Sequence, residues 1–97
     1  VVALLAFLMV SLSTNLLAAT ALDRQLEMTA TIFTKSSVTR KINASGNKVA
    51  IDKLQAVKQL HKEAVLLNSA GDEVAARKKI GAAMKLYYSI AKMVSQP

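Results

Sequence analysis

Beyond Leu22 the chain holds almost nothing that can stop a helix. Proline is absent until Pro97, and glycine occurs only at Gly46, Gly71 and Gly81. These two residues oppose a helix interior most strongly, by about 3 and about 1 kcal/mol relative to alanine. Two of the glycines fall in polar clusters, "ASGN" at Ala44 to Asn47 and "NSAGD" at Asn68 to Asp72. Glycine suits the left-handed residue that ends a helix, and Asn47 and Asp72 suit the N-caps that open the next one. The punctuation predicts three helices, over about 22–43, 48–68 and 72–95.

Apolar spacing agrees with the punctuation. In the third segment Ala76, Ile80, Ala83, Tyr87, Ile90 or Ala91, and Val94 recur at steps of three and four, which is one face of an α-helix. Asp72 and Glu73 at its start and Lys92 near its end complement the helix dipole. Gly81 lies off the stripe, either to admit another backbone or as a tolerated surface residue. In the second segment Ala50, Leu54, Val57, Leu60, Ala64 and Leu67 share a face. The short link between these two segments predicts an antiparallel hairpin. The first segment places Leu22, Leu26, Thr29 or Ala30, and Phe33 at helical spacing. Its Thr29, Thr31, Thr34, Ser36, Ser37 and Thr39 are weak helix formers, so an irregularity is expected near Ser36 and Ser37. "TATIFT" has the composition of a strand, but no second strand is there to pair with it. The expected fold class is all-α, a helical hairpin plus a preceding helix.

The hairpin carries Ala64, Leu67, then Gly71-Asp72, then Ala76, Ile80, Ala83 and Leu86. Over residues 60–86 this order resembles a single helix-turn-helix unit of tetratricopeptide repeats. Small residues let two helices approach and large ones fill the space between them. The resemblance implies a tight helical pair. Glu63 stands where that family has a large apolar residue, no proline closes the unit after Leu86, and no second copy follows. The stacked groove of such solenoids needs neighbouring repeats, so no binding residue is carried over.

No residue from Val1 to Leu22 is charged, and all thirteen Lys and Arg and all six Asp and Glu come later. "VVALLAFLMVSL" reads as the apolar core of an export signal. Ala19 to Ala21 supply the short side chains that signal peptidase accepts, which places a cut after Ala21. Residues 1–21 are thus expected to be a signal peptide and 22–97 the helical domain. The alternative is a retained membrane anchor, since such a run is long enough to span a bilayer. Ser11, Ser13, Thr14, Asn15 and Thr20 in its second half favour the signal peptide. The expected location is export to the periplasm, or attachment to the inner membrane if the segment stays.

Chemistry-bearing residues are sparse. With no cysteine there is no disulfide, thiolate metal site or Cys nucleophile. His61 is the single histidine and cannot build a metal site alone; it reads as a structural or boundary residue. Asp72 and Glu73 read as a cap and first-turn pair. No phosphate loop, nucleophile elbow or HExxH is present. Asn43-Ala44-Ser45 matches a glycosylation sequon but is explained as helix-ending chemistry. Three short helices with 4% aromatic residues leave little room for a ligand cavity. The expectation is a non-enzyme with no metal and no cofactor.

Charge is the remaining signal, at +7. Lys78, Lys85 and Lys92 recur every seven residues and line one stripe, with Arg77 and Lys79 beside it. Such a surface attracts lipid headgroups or acidic proteins, though it also fits a merely solvated face. Nucleic acid is not expected, because no aromatic platform or recognised motif accompanies the charge. Tyr88 beside Met84 is a candidate protein contact. The expected role is a small exported accessory protein of the bacterial envelope that binds a protein partner or itself. The alternative is a membrane-tethered or membrane-surface protein that sets its lysine face on anionic lipid or acidic partners.

Overall fold

The structure, a computed structural model, describes residues 20–95. The expected export segment over 1–21 lies outside them apart from Thr20 and Ala21. Four helices follow in order: α1 (Ala21–Lys35), α2 (Ser37–Ala44), α3 (Lys48–Ser69) and α4 (Glu73–Ser95). Helices α1 and α2 are the two arms of a bent first helix, so the molecule is an all-α, three-helix arrangement. "TATIFT" lies within α1.

Helix α1 begins with a capping box. Thr20 accepts a hydrogen bond from the Asp23 backbone N–H at 3.1 Å, and Asp23 Oδ2 accepts from the Thr20 backbone N–H at 2.9 Å. Two donors that no helical carbonyl can reach are thereby satisfied. The threonine hydroxyls along α1 bond back onto their own helix, Thr29 to the Gln25 carbonyl at 2.8 Å and Thr34 to that of Ala30 at 2.7 Å. This lets a weak helix former be buried at Thr29 with its polar atom paired.

The expected irregularity is an elbow of one residue. Ser36 is extended, with φ −68° and ψ 160°, and is both the C-cap of α1 and the N-cap of α2. Its hydroxyl accepts from the Thr39 N–H at 3.2 Å, so a side chain takes over where the backbone ladder breaks. The turn brings Thr39 and Ile42 into the interior, each fully buried.

Both glycine stops form as expected. Gly46 has φ +69° and Gly71 φ +88°, a region costly for any residue with a Cβ. At the second stop Asp72 N–H donates to the Leu67 carbonyl at 2.9 Å and Gly71 N–H to that of Asn68 at 3.0 Å, the paired bonds of a Schellman motif. Asn47 and Asp72 then cap α3 and α4 by accepting from Ala50 and Ala75 at 3.2 and 3.1 Å. Each helix stops and restarts within a few residues, which folds α3 and α4 into the hairpin.

The interior is where the predicted stripes meet. Leu22, Leu26, Thr29 and Phe33 from α1 join Leu54 and Val57 from α3 and Ile80, Tyr87 and Ile90 from α4. A buried Leu, Ile or Val contributes roughly 1.5–3 kcal/mol relative to an exposed one. Ala50, Ala64, Ala76 and Ala83 are fully buried, as close helix approach requires. Leu60 and Leu67 are only partly buried, at the margin of the core. Glu63, the departure from the repeat pattern, is half-exposed and pairs with Lys79 across the hairpin at 3.3 Å. A pair this wet contributes at most about 1 kcal/mol. A Cβ added at Gly81 would meet nothing within 4 Å, so within the chain Gly81 is a surface glycine.

Candidate functional site

Among the described residues, three places bring polar or apolar groups together. The first is an open groove of about 340 Å³ between α1 and α3, lined by Asp23, Leu26, Glu27, Ala30, His61, Val65, Asn68 and Ser69. Its polar groups already have partners. Asp23 Oδ2 holds the Thr20 N–H, and Asp23 Oδ1 accepts from Asn68 Nδ2 at 2.6 Å. The Thr20 backbone bond, and then the Asn68 amide, hold the Asp23 carboxyl below its ordinary 3.8. His61 Nε2 lies 2.7 Å from the Leu26 carbonyl. A carbonyl only accepts, so Nε2 carries the proton and the tautomer follows. The ring also meets Phe33 edge-on, with centroids 5.8 Å apart. His61 thus ties α3 to α1, and its structural reading fits these contacts.

The second place is a buried hydroxyl cluster inside the elbow. Tyr87 Oη lies 2.9 Å from both Ser36 Oγ and Thr39 Oγ1, and Thr39 donates to the Ile32 carbonyl at 2.7 Å. One proton arrangement satisfies every member: Thr39 to Ile32, Tyr87 to Thr39, Ser36 to Tyr87. The cluster holds no base beside a nucleophile, so its chemistry is that of a clamp. Sequence reading places Tyr87 in the buried stripe but misses these partners, which lie in another segment.

The third place is the seam between α1 and α4. A shallow notch of about 80 Å³ is lined by Thr29, Ile32, Phe33, Met84, Tyr87 and Tyr88. Tyr88 is 63% exposed. Met84 is half-buried, and its sulfur accepts a hydrogen bond from Gln25 Nε2 at 3.6 Å. Of the two expected contact residues, Tyr88 is therefore the open one and Met84 belongs partly to the packing. Lys78, Lys85, Lys92 and Arg77 are all exposed on α4, and none makes an ion pair among the described residues. Lys85 and Lys92 stand three residues before and four after Tyr88, so cations flank the tyrosine on one face. Lys79, beside the stripe, is taken up by Glu63.

Among the described residues no group of three His, Cys, Asp or Glu side chains is placed to hold a metal ion. No helix among them is long and apolar enough to cross a membrane. No family model, curated protein or solved structure matches the chain.

Proposed function

We propose that the protein is a small exported, non-enzymatic accessory protein of the bacterial envelope that docks the α1–α4 seam onto an acidic protein partner. The observation that carries this reading is the exposed Tyr88 over an apolar notch, flanked by the unpaired cations Lys85 and Lys92. A tyrosine of this kind buries a large ring while keeping its hydroxyl wet, the residue type that anchors interfaces. The neighbouring lysines steer and orient an acidic surface. The notch is too small for a typical small-molecule substrate, whose sites run from about 300 Å³ upward.

The test is a photo-crosslinking residue placed at position 88 in cells, with position 53 on α3 as the control. A discrete protein adduct at 88, lost in Lys85→Glu/Lys92→Glu, is expected. Crosslinking that is equal at both positions, or indifferent to the charge reversal, rejects the seam. The unpaired run Lys78, Lys85 and Lys92 also favours a second reading, a membrane-surface protein resting on anionic lipid. Each lysine near such a surface contributes about 1 kcal/mol and salt weakens it. Sedimentation with anionic vesicles at low salt, abolished at high salt and in the same double variant, distinguishes that reading.

A further inference from the structure

The α3–α4 hairpin has two flanks. Helix α1 lies on the one marked by its bonds to His61 and Asn68 of α3, at 2.7 and 2.6 Å, and to Met84 of α4, at 3.6 Å. One step along a helix turns the side chain by about 100°. Leu60 and Leu67, each one position before those two α3 residues, therefore face the other flank. So do Ala82 and Leu86, two positions either side of Met84. The three leucines are half-buried where they lean on the core, and Ala56 and Ala82 are exposed.

The Glu63–Lys79 pair, at 3.3 Å, lies on this flank and fixes its register. The two helices are antiparallel, so equal steps away from the pair in opposite directions reach the same level. Leu67 then stands beside Ala75, Leu60 beside Ala82, and Ala56 beside Leu86. At each of these levels one helix offers a large residue and the other an alanine.

We infer that this flank binds a second copy of the chain, about a two-fold axis parallel to the helices. That axis lays α3 of each copy over α4 of the other, antiparallel and at the same level. Leu67, Leu60 and Leu86 then each stand over an alanine of the second copy, which is how large and small residues pack two helices closely. Glu63 stands over the second copy's Lys79, and Lys79 over its Glu63. Size and charge are complementary under one operation, as a two-fold interface requires, and the two hairpins close a four-helix bundle.

The charge of the strip also selects this occupant. It holds Glu63 with Lys79 and, toward its other end, Asp52 with Lys53, so it is neutral in a chain of +7. It has no excess charge to offer anionic lipid, an acidic protein or a basic one. Two copies at +7 repel, and this strip is where their approach costs least. Two helices of this length side by side present roughly 30 by 20 Å, and the total of about 1,200 Å² from both copies reaches the range of stable interfaces. Tyr88 lies two residues from Leu86, about 200° around α4, so the inference does not rest on the docking reading of the seam. A self-adduct at the control position 53 would show by its doubled mass.

The test is a charge exchange between chains. Glu63→Lys leaves only cations at the centre of the strip and Lys79→Glu only anions, so each variant repels its own kind and attracts the other. Sedimentation equilibrium is run on the full chain, given a start methionine and purified in the form a bacterial host accumulates, with far-UV circular dichroism to check that each variant keeps its helix content. The parent is expected at twice its intact mass, each variant alone at its single mass, and an equimolar mixture of the two variants again at twice the mass. A monomeric parent overturns the inference and leaves the seam reading untouched. A parent dimer that survives either single reversal overturns it too, because the contact then lies on another face. A mixture that stays monomeric overturns the axis and the pairing of Glu63 with the second copy's Lys79.

Discussion

Tyr87→Phe isolates the hydroxyl clamp at the elbow. The ring is only 5% exposed, and its contact with Phe33, at 5.0 Å between centroids, survives in the variant. The substitution therefore removes the oxygen alone. Tyr87 gives its proton to Thr39 and accepts from Ser36, so two hydrogen bonds are lost. One is regained, because Ser36 Oγ lies 3.2 Å from Thr39 Oγ1 and turns its proton there. No buried donor is orphaned, so the net loss is one hydrogen bond, about 1 kcal/mol. For a domain of this size that lowers Tm by roughly 4–8 °C. Ser36→Ala should cost more, about 1–2 kcal/mol, since it also removes the cap on Thr39 N–H. The double variant should cost less than the sum, because both single changes break the same bond. Urea unfolding followed by far-UV circular dichroism reads all four corners of the cycle. Strict additivity, or a Tyr87→Phe protein within about 0.3 kcal/mol of the parent, would refute the clamp.

Gly71→Ala should lower stability by about 1 kcal/mol because its backbone is left-handed, whereas Gly81→Ala should raise it by about 0.8–1 kcal/mol, with both read as shifts in the urea midpoint. His61→Ala should cost roughly 1–3 kcal/mol by losing the Leu26 bond and the Phe33 contact, and should loosen α1 first in amide hydrogen exchange. The Asp23 carboxyl is held below 3.8, so its contribution is present above that value and is lost as pH falls through the lower folded value. Acid titration of Asp23→Asn should accordingly show a shallower loss of stability at the acid end than the parent does. Tyr88→Ala should leave the urea midpoint within about 0.5 kcal/mol of the parent's stability; a large loss of stability would mean that Tyr88 is a core residue.

The hairpin was legible because its signals are local. Gly71 and Asp72 carry the stop and the cap within two adjacent residues, and the stripe from Ala76 to Val94 repeats often enough to define a face. The elbow was half legible: Ser36 and Ser37 mark weakness, but what holds the break is Tyr87, 51 residues away from Ser36. No periodicity encodes that distance. Asp23 with Asn68, and Glu63 with Lys79, are pairings of the same kind. The capping box is different. Thr20 and Asp23 stand three apart, the spacing of a helix start, but Ala19 to Ala21 also satisfies a peptidase, and that reading hid the cap. At the seam, the sequence separates Tyr88 from the core face, but it cannot show that Gln25 reaches across to engage Met84.

The one-residue elbow at Ser36 also sets where this chain tolerates change in length. An added residue there would rotate α2 by about 100° about its axis and carry Thr39 and Ile42 out of register with the interior. The turns at Ser45–Asn47 and Ala70–Asp72 are largely exposed, and extra residues in such places displace no buried face. Natural or engineered insertions, tags and loop grafts should thus accumulate at those two turns, while the elbow keeps a fixed length for as long as the fold persists.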